Sequence, residues 1–214
     1  MLTVRVKNLE IGNGKPKIMG IINTSPESFY KESISVDEKI LSDRAIKMEK
    51  DGVDIIDIGG MSTAPYLNTL ISVDKEIERL RSAINAIKNV CRVPVSIDTC
   101  RADVVKASIE LGIDLVNDVT GLKYDGKMKN VITSSGLPII IGAYGNRSIT
   151  YRSGDISETI NILQESIQLA IQSGINEDTL VIDPLVGFMR MVRNNPFFTK
   201  ISHENWYERD IGII

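Results

Sequence analysis

Six short apolar runs recur along the chain, at Ile18–Ile22, Val53–Ile58, Val93–Ile97, Leu115–Val119, Pro138–Ile141 and Leu180–Ile182, each bounded by Gly, Pro, Asp or Asn. Runs of this length between turn residues predict buried strands. Between them the spacing changes. Val73, Ile77, Leu80, Ile84 and Ile87 recur at steps of three and four residues, as do Ile160, Leu163, Ile167 and Ala170, so each set makes one apolar helical stripe. Leu41, Ala45 and Met48 repeat the pattern more weakly, and Val104, Ala107, Ser108 and Leu111 predict a short helix. Strands apolar on both faces, alternating with amphipathic helices, predict a parallel sheet covered by helices. Two architectures satisfy that pattern: a doubly wound sheet and a closed barrel.

The ends of the predicted strands favour the barrel. Neither a GxGxxG turn nor a GxxxxGK[ST] loop follows an early strand. Nearly every strand instead ends in Asn, Asp or Gly: Asn23, Asp57-Ile58-Gly59-Gly60, Asp98-Thr99, Asn117-Asp118 and Asp183-Pro184. Polar groups contributed by successive strands at their C-terminal ends are how a (β/α) barrel assembles a site. Any one of these residues has an ordinary role as a strand-closing or helix-capping group, and Asp118 fits that role well. The functional case rests on the set.

The length of 214 residues and a hydrophobic content of 43% are enough for one packed core, so residues 1–214 are expected to form a single domain. A short hairpin is expected at about residues 2–16, with Leu2 to Val6 as a strand, Gly12-Asn13-Gly14 as a turn and Lys17 to Ile22 as the next strand. A net charge of -3 leaves no broad basic surface for a phosphate backbone, which points to small-molecule partners rather than nucleic acid. No apolar run approaches the roughly 18 residues that span a bilayer, and the N-terminus lacks a signal-peptide pattern. No membrane association is expected, and the expected location is cytoplasmic. Cys91 and Cys100 flank a predicted strand that would hold them roughly 25–30 Å apart, far beyond the reach of a disulfide. With His203 as the single histidine, a His/Cys zinc site is not expected.

A carboxylate at a strand end within an apolar rim is costly to bury unless it meets a cation or an array of donors. An amino group beside a ring N–H offers two parallel donors to one carboxylate. Asp98 and Asp183 are each suited to such an edge, and Asn117 supplies both a donor and an acceptor to a heterocycle. A flat, nitrogen-rich, uncharged ring is the expected ligand. The loops from Asn23 to Phe29 and from Gly59 to Pro65 add hydroxyls, an amide and glycines that suit an anion or a hydrated metal.

These segments resemble a known family. Met19-Gly20-Ile21-Ile22-Asn23-Thr24-Ser25-Pro26-Glu27-Ser28-Phe29 is similar to the first motif of the dihydropteroate synthases, and Asp54-Ile55-Ile56-Asp57-Ile58-Gly59-Gly60-Met61-Ser62-Thr63-Ala64-Pro65 resembles the second. Val95-Ser96-Ile97-Asp98-Thr99, Asn117-Asp118-Val119 and Ile182-Asp183-Pro184 with Gly187-Phe188 follow in the family order. The resemblance implies a TIM (β/α)8 barrel that joins a hydroxymethyl-dihydropterin diphosphate to p-aminobenzoate and releases diphosphate, a transferase step of folate biosynthesis. It implies that Asp98, Asn117 and Asp183 bind the pterin ring. Asn23 would face a magnesium ion (Mg2+) and the diphosphate, Asp57 would sit on the diphosphate side, and Thr63 would help close the second-strand loop over the reacting carbon. Barrels of this group are often dimers, which makes a homodimer the expected assembly.

The chain also departs from the family pattern. Met61 stands where the family has Glu, and Ala64 where it has an Arg suited to bidentate anion contacts. After the fifth parallel strand the run is Gly142-Ala143-Tyr144-Gly145-Asn146-Arg147 in place of Met-His-Met. The family's seventh-strand Ser-Arg-Lys element and eighth-strand Arg-x-His element have no counterpart before Ile214, so the barrel is expected to lack its last two strand-helix units. A piece of a longer enzyme, a barrel completed by a partner and a divergent non-catalytic pterin binder all fit this pattern. A pterin-dependent methyltransferase is a further alternative, disfavoured by the paired loop sequences. Arg147, Arg190 and Arg193 are candidate substitutes for the missing anion contacts, set against an ordinary role as solvated side chains.

Overall fold

The computed structural model describes residues 3–24, 38–61, 71–143 and 156–185. Thr63, Ala64, Arg147, Arg190, Arg193 and His203 lie outside these residues, as do the ends of both motif loops. The chain begins with a two-stranded antiparallel hairpin, β1 (Val4–Val6) and β2 (Leu9–Ile11). Among the described residues five β/α steps and a sixth strand follow: β3 (Met19–Asn23), α1 (Glu38–Lys50), β4 (Ile55–Gly59), α2 (Val73–Lys88), β5 (Val95–Asp98), α3 (Ala102–Glu110), β6 (Leu115–Asp118), α4 (Met128–Ser135), β7 (Ile139–Gly142), α5 (Ile156–Gln172) and β8 (Leu180–Asp183). All five pairings within the sheet are parallel, in the order β3-β4-β5-β6-β7-β8. Each strand thus lies beside its predecessor, which is barrel winding. A doubly wound sheet would reverse its order partway.

Two faces of the sheet divide the core. Ile22, Ile56, Ile58, Val95, Ile97, Val116, Ile139 and Ile141 point outward into the helix layer, where they pack with Leu41, Leu80, Ile84, Ile87, Val104 and Ile132. Ile55, Leu115 and Ile140 point the other way and pack on Val4 and Val6 of the hairpin, with Met19 and Val181 alongside. The hairpin therefore plugs the N-terminal end of the sheet's concave side, leaving the C-terminal ends of the strands for the polar residues.

Local signals account for the elements. The β4 sequence IIDIG is buried throughout, as a parallel strand covered on both faces requires. Ser72 caps α2 by accepting the Lys75 N–H at 3.2 Å, Asp74 and Glu76 occupy the first turn, and Lys88 the last. Gly136, at φ 67°, closes α4 in the left-handed conformation that glycine adopts at least cost.

Two expectations change. The turn of the hairpin falls at Lys7-Asn8, not at Gly12-Asn13-Gly14, and Lys7 takes φ 56°. The strand after those glycines pairs with β4 in the parallel sheet, so the partner of the first strand is Leu9–Ile11. Helix α4 was not anticipated: Met128, Val131 and Ile132 form too short a stripe to stand out over eight residues.

Candidate functional site

Strand register assembles the site. In a parallel sheet, paired residues share a face, and each row of partners crosses several strands. One row carries Asn23, Gly59, Asp98 and Asn117, contributed by β3, β4, β5 and β6. The row beneath it carries Ile21, Asp57, Ser96 and Leu115. At the far side, Gly142 pairs with Asp183 at the ends of β7 and β8. These rows lie on the concave face, whose apolar part, Ile55, Leu115 and Ile140, packs on the hairpin. Asn23, Asp57, Asp98, Asn117 and Asp183 are thereby brought to one surface. Asp118 follows Asn117 and points outward, where its carboxylate accepts the Thr120 N–H and the Leu122 N–H at 2.9 Å each and the Thr120 hydroxyl at 2.6 Å. It closes a turn, as its ordinary reading predicted.

Two glycines make room within the rows. A Cβ on Gly59 would stand 2.7 Å from Asn23 Oδ1 and 3.9 Å from Asp98 Oδ2, so both side chains lean over the same glycine. The turn beyond Asn23 is fixed to this strand end, since the Thr24 N–H and hydroxyl both donate to the Gly59 carbonyl, at 2.9 and 3.1 Å. A Cβ on Gly142 would collide with the Val119 carbonyl, because the chain leaving β6 crosses directly over the end of β7.

The inner row is short of hydrogen-bond donors. Asn117 Nδ2 donates to Asp57 Oδ2 at 3.0 Å, whereas the buried Asp57 Oδ1, Asp98 Oδ1 and Ser96 Oγ have no hydrogen-bond partner among the described residues. The Ser96 hydroxyl sits across from Asp57 and tempers its charge without meeting hydrogen-bond geometry. Burial pushes the Asp57 carboxyl above the usual carboxylate range, opposed by Ser96 and Asn117. Asp98 is raised well above that range, first by burial and then by the negative charges of Asp57, Asp118 and Glu76. The Asp98 residue is partly open to the concave face even though its Oδ1 is sealed. Asp183 is also raised by burial, eased by the Leu185 N–H that its Oδ1 accepts at 2.8 Å.

Unpartnered acceptors on buried carboxyls cost about 1–3 kcal/mol each, a cost that donors reaching Asp57 and Asp98 would relieve. A ring edge with adjacent N–H groups would be one such donor array. Ser96 was not singled out from the sequence, although its place two residues before Asp98 puts it on the same face. Glu76 and Arg101, buried behind the strand ends, were missed altogether. Met61, which stands where the family motif has Glu, is buried.

A family profile described as "Pterin binding enzyme" matches residues 19–204. The dihydropteroate synthase of Bacillus subtilis (strain 168) is 33% identical over 183 residues, covering 85% of this chain and 62% of that protein. The dihydropteroate synthase of Clostridium beijerinckii is 34% identical over 189 residues, covering 88% of this chain and 69% of the relative. Among solved structures, a dihydropteroate synthase from Coxiella burnetii in complex with pteroic acid superposes with a TM-score of 0.74 at 32% identity, covering 86% of this chain and 66% of that one. The chain thus spans about two thirds of the length of these three relatives.

Proposed function

Because this chain belongs to the pterin binding enzyme family, we propose that it carries the pterin half-site of a dihydropteroate synthase-type transferase, which condenses a hydroxymethyl-dihydropterin diphosphate with p-aminobenzoate and releases diphosphate. The observation that carries the proposal is the row Asn23–Gly59–Asp98–Asn117, which brings four strand ends to one face with Asp57 in the neighbouring row. Named relatives with the same activity add to it.

In this reading Asp98 and Asp183 take the amino and ring N–H donors of the pterin, and Asn117 holds the ring while steadying Asp57. Ser96 lies under the ring as a further donor. The reluctance of Asp98 to ionise alone makes its charge conditional on those donors, which favours a ring offering two of them. Asn23 sits at the rim, where the diphosphate would lie. Its side-chain oxygen suits a largely hydrated magnesium ion, which takes one or two protein ligands and completes its shell with water and phosphate oxygens. Among the described residues no group of three acidic, His or Cys side chains is arranged to hold a metal ion, so a closed all-protein metal cage is not part of the proposal. Bound there, magnesium would neutralise charge on the departing diphosphate. The protein's own contribution is positioning and electrostatic: Asp98 and Asp183 stabilise positive charge on the pterin as diphosphate leaves, and the amine then attacks the methylene carbon. Thr63 is proposed to act from the second-strand loop. Residues 1–214 acting as one domain, a cytoplasmic setting and a homodimeric assembly belong to the proposal as well.

Diphosphate release from the pterin diphosphate, measured with and without p-aminobenzoate, tests the activity; release that depends on the amine is expected. Pterin binding without release would leave a binding protein in its place. Asp183→Asn should weaken pterin affinity about tenfold or more in a calorimetric titration, since hydrogen bonds to a charged group contribute about 1.5–3 kcal/mol. Unchanged affinity would remove Asp183 from the site.

A further inference from the structure

Behind the strand ends lies a buried ion pair, Glu76 with Arg101. Glu76, in the first turn of α2, is fully buried. Its Oε1 accepts the Thr99 hydroxyl at 2.7 Å, and its Oε2 accepts Arg101 Nη1 at 3.0 Å. Arg101 is itself 7% exposed, and the same Nη1 donates to the Ile71 carbonyl at 2.8 Å. Arg79, one turn along α2 from Glu76, donates to the Gly60 carbonyl at 3.2 Å. The connection from β4 to α2 is thus held at both ends, at Gly60 by Arg79 and at Ile71 by Arg101.

The pair reaches both sides of the candidate site. Thr99 follows Asp98 directly, and its N–H donates to the Asn117 carbonyl at 3.1 Å, so the hydroxyl held by Glu76 belongs to the residue that links Asp98 to Asn117. Gly60 follows Gly59, and a Cβ there would stand 2.9 Å from both Glu76 Cγ and Leu80 Cγ. The backbone at the end of β4 therefore lies flush against the Glu76 stem. One carboxylate fixes the ends of two neighbouring strands.

A buried ion pair is weak evidence for stability: losing one partner is costly, while replacing both with apolar residues of similar volume is often neutral or favourable. What such a pair supplies is directional constraint, which apolar packing does not reproduce. Resting on the functional reading above, we propose that Glu76 and Arg101 are positioning residues, which hold Asp98 through Thr99, and the Gly59–Gly60 turn through its backbone, in the geometry that receives the pterin.

The test replaces both partners at once, as Glu76→Leu with Arg101→Met in the full chain, which removes the charges while keeping the volume. Thermal unfolding is expected at or above the wild-type temperature. Hydrogen exchange at the Thr99 amide is expected to rise at least tenfold, with the mid-strand amides of Ile56 and Ile97 unchanged. In kinetics, kcat is expected to fall at least tenfold, with KM for p-aminobenzoate unaltered. Unchanged Thr99 exchange in a folded double variant overturns the proposal, as does wild-type kcat. The single variant Glu76→Gln keeps the acceptor to Thr99 and should retain Thr99 protection within about threefold; loss equal to that in the double variant would also overturn it. Wild-type protein run alongside separates the two readings. Absence of amine-dependent diphosphate release there counts against the transferase, whereas the exchange data still decide whether the pair orders the strand ends.

Discussion

Asp98→Asn should make the free protein more stable while depriving it of its ligand. Asp98 Oδ1 is buried without a hydrogen-bond partner among the described residues, and burial together with the nearby charges of Asp57, Asp118 and Glu76 disfavours its ionisation. The sign follows from linkage. A carboxyl whose folded pKa is raised supports the fold fully below its unfolded pKa, and that support is lost as pH rises toward and through the folded value. At neutral pH the free protein therefore bears either a strained carboxylate or an acid held neutral against its tendency, and the amide removes that conflict. Relieving an active-site conflict of this kind commonly adds about 0.5–2 kcal/mol, and in a chain of this size each kcal/mol raises Tm by about 2–4 °C. Binding should move the opposite way. The amide offers one acceptor and two donors where the ring edge presents donors only, so about 1.5–3 kcal/mol of charge-assisted bonding is lost, roughly a tenfold to hundredfold weakening. Differential scanning calorimetry of the free variant between pH 4 and 8, paired with calorimetric titration of a pterin, reads both quantities. The wild type should lose stability relative to the variant as pH rises through this window. A variant that melts lower than wild type throughout, or binds pterin as tightly, would falsify the assignment of Asp98 as an unsatisfied acceptor.

Two further outcomes are expected. Gly59→Ala should push Asn23 aside, because the new methyl would stand 2.7 Å from its Oδ1; it should cost about 1–3 kcal/mol of stability in denaturant unfolding and weaken diphosphate binding more than pterin binding, and equal losses for both ligands would count against a rim position for Asn23. Native thiol labelling at pH 8 should be slow at both cysteines, since burial holds Cys91 at about 11 and Cys100 at about 12; rapid single-site modification of Cys100 would contradict its placement.

The six strands were legible because each is an apolar run closed by a turn residue, and in β4 burial on both faces leaves no polar interruption except Asp57. The inward direction of Asp57, Asp98 and Asn117 was not legible, because it depends on which residues pair across strands. Register alone separates Asn117, on the concave face, from its neighbour Asp118, which closes a turn on the helix side. The hairpin turn was misplaced for a physical reason. Gly12 and Gly14 adopt positive φ and look like the stronger turn, yet Lys7 takes the left-handed conformation without glycine's help. Glu76 gave no signal, since an acidic residue in the first turn of a helix reads as a favourable charge on the surface. Its burial arises from Thr99 and Arg101, which arrive from a different strand end.

The plug beneath the site also bears on how the chain is made. Val4 and Val6 leave the ribosome before every strand of the sheet they pack against, whose covered surface is built from Ile55, Leu115, Ile140 and Val181, the last of them beyond α5. Until β8 has been synthesised the hairpin has only part of its seat, and an isolated two-stranded hairpin is marginal in water. Its docking must wait for contacts distant in sequence, the kind that form slowly. The hairpin is therefore made before its seat and settles after it, and protection of the Val6 amide during refolding would time the completion of the sheet.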